Sequence, residues 1–400
     1  MPKEKIYAAI DLGTSFVRAA IGVLKEDGML EIIGYGCCNS RGLLKSRVEK
    51  IEEAAPIINQ AIKSAEKTCK GREYHIDEVT INVGGAGVFS DNIQVSTIIQ
   101  DKVNKKTLNE LEKKLADYPL PKGDQSLHIN ITGYQIDGVK TADPTDQDGK
   151  TIGTSAVRVL GNETNINTSC EAVAQAGAQV NNVFPTILAE SLSCLTEEQR
   201  QKGVVLVSAG AGSTGAVVWV DGHIMLFESF AVGGDHVTND LATGLEMSFE
   251  DAEDLKKQHL GAGEEKVRVG GKFFLVRNIQ TIIQARTNET VKYISNKIKK
   301  SGQVTNLKCG VVVVGKAADY YFMQALRHEF SALNVSNNNF TVPEELAPNS
   351  EEFSIYSPFL SGILQNDSGA SAVLGLLKEK AKEDKQSQEK NAGGFLGLFK

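Results

Sequence analysis

Apolar positions divide the first part of the chain into short strands and one long helix. Apolar runs separated by turn residues predict three strands, at Ile6 to Leu12, Phe16 to Leu24 and Leu30 to Cys37. From about Arg47 to Lys70, apolar residues recur three and four positions apart, which predicts a helix that Pro56 should kink or split. Glu78 to Val83 is predicted to be another strand, so this region should form an α/β layer.

The pattern changes between about Ala86 and Val173. Here the sequence predicts a short helix near Lys106 to Tyr118, strands near Leu127 to Ile136 and Ala156 to Val159, and a polar turn region from Asp137 to Gly153. This stretch has the size of an inserted subdomain. Four further helices are predicted at Cys170 to Ala178, Pro185 to Cys194, Tyr320 to Phe330 and Ala372 to Lys380.

The turn after the first strand carries groups suited to binding phosphate. Asp11 ends an apolar strand, and Gly13-Thr14-Ser15 follow it. The N–H groups of a glycine turn and its hydroxyls can hold phosphate oxygens, and the carboxylate can hold hydrated Mg²⁺. Taken alone, the stretch is equally well explained as a plain β-hairpin with a polar turn. The pattern recurs, however, as an apolar run at Val204, a glycine turn from Ser208 to Gly215, and a second apolar run ending at Val220.

Two such hairpins, one opening each half of the chain, resemble those of the actin, hexokinase and heat-shock ATPase superfamily. In that superfamily the nucleotide lies between two similar lobes, and one hairpin from each lobe clamps its phosphates. The resemblance implies a two-lobed α/β fold. The length agrees, because 400 residues exceed what a single core usually holds.

Net charge, cysteine spacing and the lengths of the apolar runs exclude several classes of protein and partner. The net charge of −7 argues against nucleic acid as a partner. The six cysteines show no zinc-type or disulfide-type spacing, which favours a reducing cytoplasm. We expect no signal peptide, and no apolar run is long enough for a transmembrane helix, so any membrane contact should be peripheral.

Stretches along nearly the whole chain resemble the FtsA family of bacterial cell-division proteins, which are actin-like membrane adaptors. They are Asp11 to Ser15, Gly42, Val48 to Ile51, Ala65-Glu66, Leu195 to Arg200 with Gly203-Val204, Ala231 to Ala242, and Ala252 to Lys256. The resemblance implies subdomain 1A at residues 1–85 and 170–203, an inserted subdomain 1C at 86–169, subdomain 2A at 204–233 and 309–378, and subdomain 2B at 234–308.

The resemblance also implies a site for ATP or ADP with Mg²⁺. Asp11 is the expected metal ligand and also a nucleotide contact, and the other expected nucleotide contacts in the glycine motifs are Gly13, Thr14, Ser15, Gly210, Gly212, Ser213, Thr214, Gly233, Gly234, Gly315 and Lys316. The glycine pair before a helix should offer free N–H groups. On the adenosine side, Glu253 and Lys256 are spaced to meet the ribose hydroxyls, and Arg286 and Glu289 repeat that spacing near the base. Without the resemblance, each charged pair is better explained as a surface salt bridge.

The second hairpin departs from the family pattern. Where the family has two aspartates, this chain has Ser208 and Gly215, and Lys316 replaces the second glycine of the third glycine motif. Neutral groups cannot hold the metal or order the attacking water as carboxylates do. We therefore expect nucleotide binding with little or no hydrolysis and no catalytic residues. Whether Lys316 clashes with adenosine or reaches the phosphates stays open.

The chain ends in a charged linker and a short apolar tail. Residues 379–392 are too charged to fold alone, and residues 393–400 carry Phe395, Leu396, Leu398 and Phe399. FtsA proteins also end in an amphipathic helix, so this tail is predicted to target the membrane. The alternative is a frayed terminus or one that docks back onto the fold.

Together these features predict an actin-like adaptor that tethers FtsZ filaments to the cytoplasmic face of the cell inner membrane at the division site. The resemblance implies that subdomain 2B takes the C-terminal peptide of FtsZ, that the chain forms a homopolymer through subdomain 1C, and that other division proteins bind it. The alternatives are a PilM-type adaptor of pilus assembly and a small-molecule kinase of the same superfamily.

Overall fold

A computed structural model describes residues 5–24, 30–69, 74–258, 265–337, 376 and 380. The first half of the described chain contains the strands β1 (Lys5–Leu12), β2 (Phe16–Leu24), β3 (Leu30–Asn39), β4 (Leu43–Leu44), β5 (Arg47–Val48), β6 (Glu78–Val83), β7 (Val88–Ile98), β8 (Asp124–Ile136), β9 (Val139–Thr141), β10 (Thr151–Asn162) and β11 (Gln179–Pro185). Its helices are α1 (Ile51–Thr68), α2 (Lys105–Ala116), α3 (Glu163–Gln175), α4 (Thr186–Cys194) and α5 (Glu197–Lys202).

The second half contains the strands β12 (Val204–Ala209), β13 (Thr214–Val220), β14 (His223–Phe230), β15 (Lys266–Val269), β16 (Lys272–Leu275), β17 (Val311–Val314) and β18 (Val335–Asn337). Its helices are α6 (Gly234–Gly244), α7 (Phe249–Lys257), α8 (Val276–Lys300) and α9 (Tyr320–Glu329).

Two large sheets organise the molecule. The first has the strand order β11-β6-β1-β2-β3, and the second has the order β18-β17-β12-β13-β14-β7-β10-β8-β9. Each sheet contains one predicted glycine hairpin, β1–β2 in the first and β12–β13 in the second. This duplication confirms that the predicted hairpins occupy corresponding places in two sheets.

Helix α4 lies between the two sheets and joins their cores. One face of β1 and β2 presents Tyr7, Ala9 and Ala20 to a cluster that also holds Ile187 and Leu188 of α4. Side chains alternate between the two faces of a strand. The same cluster includes Val204 and Leu206 of β12 and Val217 and Trp219 of β13. Side chains at positions 11, 18, 208 and 215 therefore belong to the faces that look toward α4.

The outer faces of the sheets are covered by other helices. Helix α1 packs on the first sheet through Ala55, Ile58, Ile62 and Ala65, which are buried as the helical spacing predicts. Helices α8 and α9 cover β12, β13 and β17 on the second sheet. Helices α6, α7 and α8 form a further cluster with the β15–β16 hairpin.

Two predicted helix starts are wrong. Helix α1 begins at Ile51 and not at Arg47, because Arg47 and Val48 pair with Leu43 and Leu44 as a small hairpin. Its exposed Pro56 does not split it, since one lost backbone hydrogen bond is offset by the buried face. Helix α3 begins at Glu163 and not near Cys170, because the Asn162 side chain caps it by accepting from the N–H of Asn165.

The stretch between the first and second hairpins adds strands to the second sheet. Strands β7, β10, β8 and β9 extend that sheet beyond β14, and α2 covers them over a small core that includes Leu111 and Ile152. The long strand β7 was not predicted, because its polar residues hide the strand pattern.

The subdomain boundaries proposed from the family resemblance remain predictions. Of the predicted helix Ala372 to Lys380, only Leu376 and Lys380 lie within the described residues, and Leu376 is buried in the central core.

Candidate functional site in the cleft between the two hairpins

Asp11 stands opposite Arg18 at the end of the first hairpin. The two residues are directly paired in the antiparallel register of β1 and β2. Nη1 of Arg18 lies 2.8 Å from Oδ2 of Asp11, and Nδ2 of Asn82 donates to Oδ1 of Asp11 at 2.6 Å. Asp11 is 4% exposed and Arg18 is 5% exposed. The carboxylate expected to bind metal is thus buried beside a guanidinium of its own lobe.

Ser208 occupies the corresponding place in the second hairpin and faces α4. Glu190 of α4 lies near the Ser208 hydroxyl, which acts to lower the pKa of the Glu190 carboxyl. Glu190 is 6% exposed, and its Oε2 atom has no hydrogen-bond partner. Burial raises the pKa of Glu190 to about 8; the Ser208 hydroxyl opposes this rise, the charge of Asp11 adds to it, and the charge of Arg18 opposes it. At neutral pH most Glu190 side chains are therefore protonated.

Glu190 is a site residue that the sequence prediction missed. It interrupts the apolar and small residues of Ile187-Leu188-Ala189-Glu190-Ser191-Leu192, and that interruption was the available signal. A charged residue is rarely buried in a central helix without a specific reason. The chain thus has a carboxyl group next to Ser208, supplied by a helix and not by the strand.

Gly215 leaves no room for the second acid of the family pattern. A Cβ atom at this position would lie 2.2 Å from Cδ1 of Ile187 and 2.3 Å from the backbone oxygen of Glu228. Any side chain here requires both the backbone of β14 and the Ile187 side chain of α4 to move. Packing against both neighbours therefore favours glycine in this chain.

The two hairpin turns meet through a third turn. Lys45 and Ser46 link β4 to β5 with positive φ angles of 51° and 61°, a pair of values typical of a type I′ turn. The Ser46 N–H donates to Oγ1 of Thr14 at 2.9 Å, and its hydroxyl lies 2.7 Å from that of Ser213. A Cβ on Gly212 would lie 2.3 Å from Oγ1 of Thr14. The Lys45–Ser46 turn therefore bridges the tips of both predicted phosphate hairpins.

The predicted free N–H groups before α6 are not free. The Gly234 N–H donates to the Gly210 carbonyl at 3.0 Å, and the Asp235 N–H donates to the Ala211 carbonyl at 2.9 Å. The Gly233 N–H donates to Nδ1 of His236 at 3.3 Å. The prediction is wrong on this point because the second hairpin packs its own carbonyls against the helix N-terminus. Thr214 adds to this packing, since its hydroxyl donates to the Val232 carbonyl at 2.5 Å.

Glu253 and Lys256 lie side by side on α7, as their spacing predicts. Nζ of Lys256 is 2.5 Å from Oε2 of Glu253 and 2.6 Å from Oγ1 of Thr238, and it donates to the Gly234 carbonyl at 3.1 Å. Burial tends to raise the pKa of Glu253, but hydrogen bonds from Lys256 and Thr238 hold it below its ordinary value. The pair is a preorganised ion pair next to the start of α6.

Arg286 and Glu289 form a second ion pair, and Asp240 joins them. Nε and Nη2 of Arg286 contact both carboxylate oxygens of Asp240 at 2.7 and 3.2 Å, and Nη1 lies 2.7 Å from Glu289. The hydrogen bond with Asp240 raises the pKa of Arg286. Asp240 was not predicted, because it lies on α6, 46 positions away from Arg286.

Gly315 and Lys316 bring the third glycine motif to the cleft. Gly315 has a φ of 99°, and a Cβ there would lie 2.3 Å from the Ala209 carbonyl oxygen. Nζ of Lys316 lies 4.3 Å from the ring centre of Phe16, which follows the first hairpin turn. Lys316 thus reaches across the cleft to the other lobe. Of the remaining predicted contacts, Ser15 is exposed, and its carbonyl accepts from the Ser40 N–H.

The site residues fit the two parts of the predicted ligand differently. On the adenosine side, the Glu253–Lys256 pair is present, and its groups contact each other, Thr238 and the Gly234 carbonyl. On the phosphate side, Asp11 faces Arg18, the α6 N–H groups are bonded, and the hairpin tips touch. The residues around Asp11 do not fit Mg²⁺, because the carboxylate is already ion-paired to Arg18. Within the described residues, no three His, Cys, Asp or Glu side chains gather as a metal site.

Comparison with known proteins finds similar sequences among cell-division proteins. The sequence model of the family described as "Cell division protein FtsA" matches residues 205–382. The FtsA of Pseudomonas aeruginosa is 28% identical over 326 residues, which is 78% of this chain and 77% of that protein. The FtsA of Bacillus subtilis is 26% identical over 84% of this chain and 79% of its own length. The chain is thus similar in sequence to the FtsA cell-division proteins over most of its length.

Solved structures show that this chain has the actin-like fold. The PilM-PilN type IV pilus biogenesis complex contains a chain that matches with a TM-score of 0.65 and 15% identity, covering 94% of this chain and 98% of that one. MreB 5 of Spiroplasma citri, solved with AMPPNP, matches with a TM-score of 0.52 and 11% identity, covering 98% of this chain and all of its own. These likenesses confirm the predicted fold class.

The predicted membrane tail at Phe395, Leu396, Leu398 and Phe399 lies outside the described residues. No helix in the described part of the chain is both long and apolar enough to cross a membrane.

Proposed function

We propose that this chain is an adaptor of cell division that tethers FtsZ filaments to the cytoplasmic face of the cell inner membrane at the division site. It binds ATP or ADP between its lobes and hydrolyses ATP slowly or not at all. The observation that carries this proposal is the buried Asp11–Arg18 pair opposite a hairpin without carboxylates, in a chain related to FtsA.

The acidic groups around the hairpins argue against a kinase. A kinase of this superfamily needs an ionised carboxylate poised toward a substrate hydroxyl. Asp11 is ion-paired to Arg18, and Glu190 is buried in the core and largely protonated at neutral pH. Neither group meets this need, so the cleft is suited to holding a nucleotide and not to moving a proton.

Nucleotide binding is supported by the adenosine side of the cleft. The Glu253–Lys256 pair is held by Thr238, so little side-chain entropy is lost when a ribose binds. The structure of MreB 5 of Spiroplasma citri with AMPPNP has the same fold. Phosphates can enter only if the Ser46–Ser213 and Gly212–Thr14 contacts separate, which links nucleotide binding to the distance between the lobes.

Membrane attachment rests on the four large apolar residues of the tail, Phe395, Leu396, Leu398 and Phe399. Burying each of them contributes about 1.5 to 3 kcal/mol at most, and ordering the tail costs about 1 to 2 kcal/mol per residue. A single tail therefore binds marginally. Self-assembly of the chain presents many tails together and makes attachment firm through avidity.

Vesicle co-sedimentation with purified FtsZ tests the proposal. Vesicles of phosphatidylethanolamine and phosphatidylglycerol are mixed with FtsZ and with the full chain, a chain ending at Lys390, or a full chain with Phe395→Ser and Phe399→Ser. We expect only the unaltered full chain to sediment with vesicles and to carry FtsZ down. Equal sedimentation of all three chains would remove the membrane role, and FtsZ left in the supernatant would remove the tether role.

The PilM-type alternative predicts a different partner. The likeness to the PilM–PilN complex, at 15% identity, shows the fold alone and does not distinguish the two adaptors. A labelled C-terminal peptide of FtsZ should bind the full chain and be displaced by unlabelled peptide. Binding of a pilus-assembly peptide in its place would favour the alternative.

A further inference from the structure

We infer that the guanidinium of Arg18 takes the place of the divalent cation at the first hairpin, so that nucleotide binds in this cleft without Mg²⁺. The inference rests on the proposed nucleotide binding for its second half. Its first half concerns this chain alone and can be tested without nucleotide.

The geometry places the positive charge against the expected metal ligand. Nη1 of Arg18 is 2.8 Å from Oδ2 of Asp11. The same nitrogen lies under the hairpin turn, where a Cβ atom added to Gly13 would be 3.6 Å from it. Mg²⁺ binds a carboxylate oxygen at about 2.0 to 2.1 Å. An ion bound directly to Asp11 would therefore lie within a few ångströms of the guanidinium, where repulsion between buried like charges is strong. A hydrated ion would have to displace the guanidinium from the same carboxylate oxygen.

The neighbouring groups already satisfy the carboxylate of Asp11. Asn82 donates from Nδ2 to the other oxygen of Asp11, and its Oδ1 accepts from the Leu12 N–H. Asp11 is thus matched inside the protein by the Arg18 guanidinium on one carboxylate oxygen and by the Asn82 amide on the other.

The position of Arg18 explains why this pairing is stable. The antiparallel pairing of β1 with β2 places residue 18 directly opposite residue 11, and both side chains point toward α4. The guanidinium also lies 5.2 Å from the ring centre of Phe16, within the range of a cation–π contact. A long cation in β2 can therefore reach the carboxylate without leaving the sheet face.

Metal binding by the nucleotide-free full chain tests the first half. Mn²⁺ is used as the probe and its free signal is followed by electron paramagnetic resonance, while thermal unfolding is followed with and without Mg²⁺. We expect the natural chain to retain no stoichiometric Mn²⁺ and to show no change in Tm with Mg²⁺. Stoichiometric Mn²⁺ that is lost in Asp11→Asn would overturn the inference.

Variants at Arg18 sharpen the result. Arg18→Ala should lower Tm and gain a Tm rise with Mg²⁺, because Asp11 is then available as a ligand. Arg18→Lys keeps the positive charge and should not respond to Mg²⁺, and neither should the double variant Asp11→Asn with Arg18→Ala. If Arg18→Ala does not fold, the Mn²⁺ measurement on the natural chain still decides the matter.

A fluorescent ATP analogue tests the second half. We expect its Kd for the full chain to change by less than about threefold between Mg²⁺ and EDTA. A loss of affinity of about tenfold or more in EDTA would overturn the metal-independent binding. No binding under either condition would contradict the proposed nucleotide binding, while the Mn²⁺ result would still judge the role of Arg18.

Discussion

The first and second glycine hairpins share a turn geometry but differ in charge. The Gly13 N–H donates to the Phe16 carbonyl at 3.1 Å, and the Gly210 N–H donates to the Ser213 carbonyl at 2.9 Å, so both turns close in the same way. Asp11 and Ser208 each stand two residues before the glycine. Around Asp11 the charges are paired and buried, whereas Ser208 is neutral and meets a carboxyl group from α4.

The difference shows that the hairpin backbone does not depend on the acidic residues that superfamily ATPases use. Both hairpins are held by strand pairing and by apolar residues on two faces, whose burial is the main source of stability. Polar chemistry at the strand ends can then change without loss of the fold. Two hairpins of the same geometry can therefore carry different charges in one fold.

Removing the carboxylate of the first hairpin should have the largest effect. Asp11→Ala leaves Arg18 buried without its carboxylate partner and is expected to lower the free energy of unfolding by about 3 to 5 kcal/mol. The matched change Ser208→Ala removes one hydroxyl and should cost about 1 kcal/mol. Urea unfolding of both variants measures the difference. Equal costs would show that the charged pair does not distinguish the two hairpins.

Glu190 should give the stability of the protein a specific pH dependence. Its pKa is raised to about 8 in the folded chain from 4.5, so the folded state holds a proton that the unfolded state releases between these values. Stability must therefore fall as pH rises through this window, by about 2 kcal/mol between about pH 5.5 and pH 7.5 relative to Glu190→Gln.

Urea unfolding at several pH values measures this difference. The control is Glu171→Gln on the exposed face of α3, which should keep the pH slope of the natural chain. If Glu190→Gln and the natural chain have parallel pH profiles, Glu190 does not retain a proton beside Ser208.

The contact between Lys316 and Phe16 should have the smallest effect. A cation over an aromatic ring at a partly exposed site contributes about 0.5 to 1 kcal/mol, so Lys316→Ala is expected to lower stability by that amount, whereas Lys316→Arg should retain it. A double-mutant cycle with Phe16→Leu measures the coupling. A coupling energy of zero would mean that Lys316 does not link the two lobes through this ring.

Much of the cleft could be predicted from local sequence patterns, and some of it could not. The glycine hairpins, the Glu253–Lys256 pair and the buried face of α1 follow from spacing, because residues close in sequence meet through regular strand and helix geometry. The partners Asn82, Glu190 and Asp240 lie on other elements, and their contacts depend on how sheets and helices pack. The bonded N–H groups before α6 were mispredicted for the same reason.

The sequence by itself determined the duplicated hairpins, the neutral second turn and the resemblance to FtsA, because these are properties of residue type and short-range order. Only the tertiary structure decided that Asn82 donates to Asp11, that Glu190 of α4 lies near Ser208, and that the Lys45–Ser46 turn bridges the hairpin tips. The physical reason is that a buried charge takes its partner from whichever element packs against it, and packing joins residues that are distant along the chain.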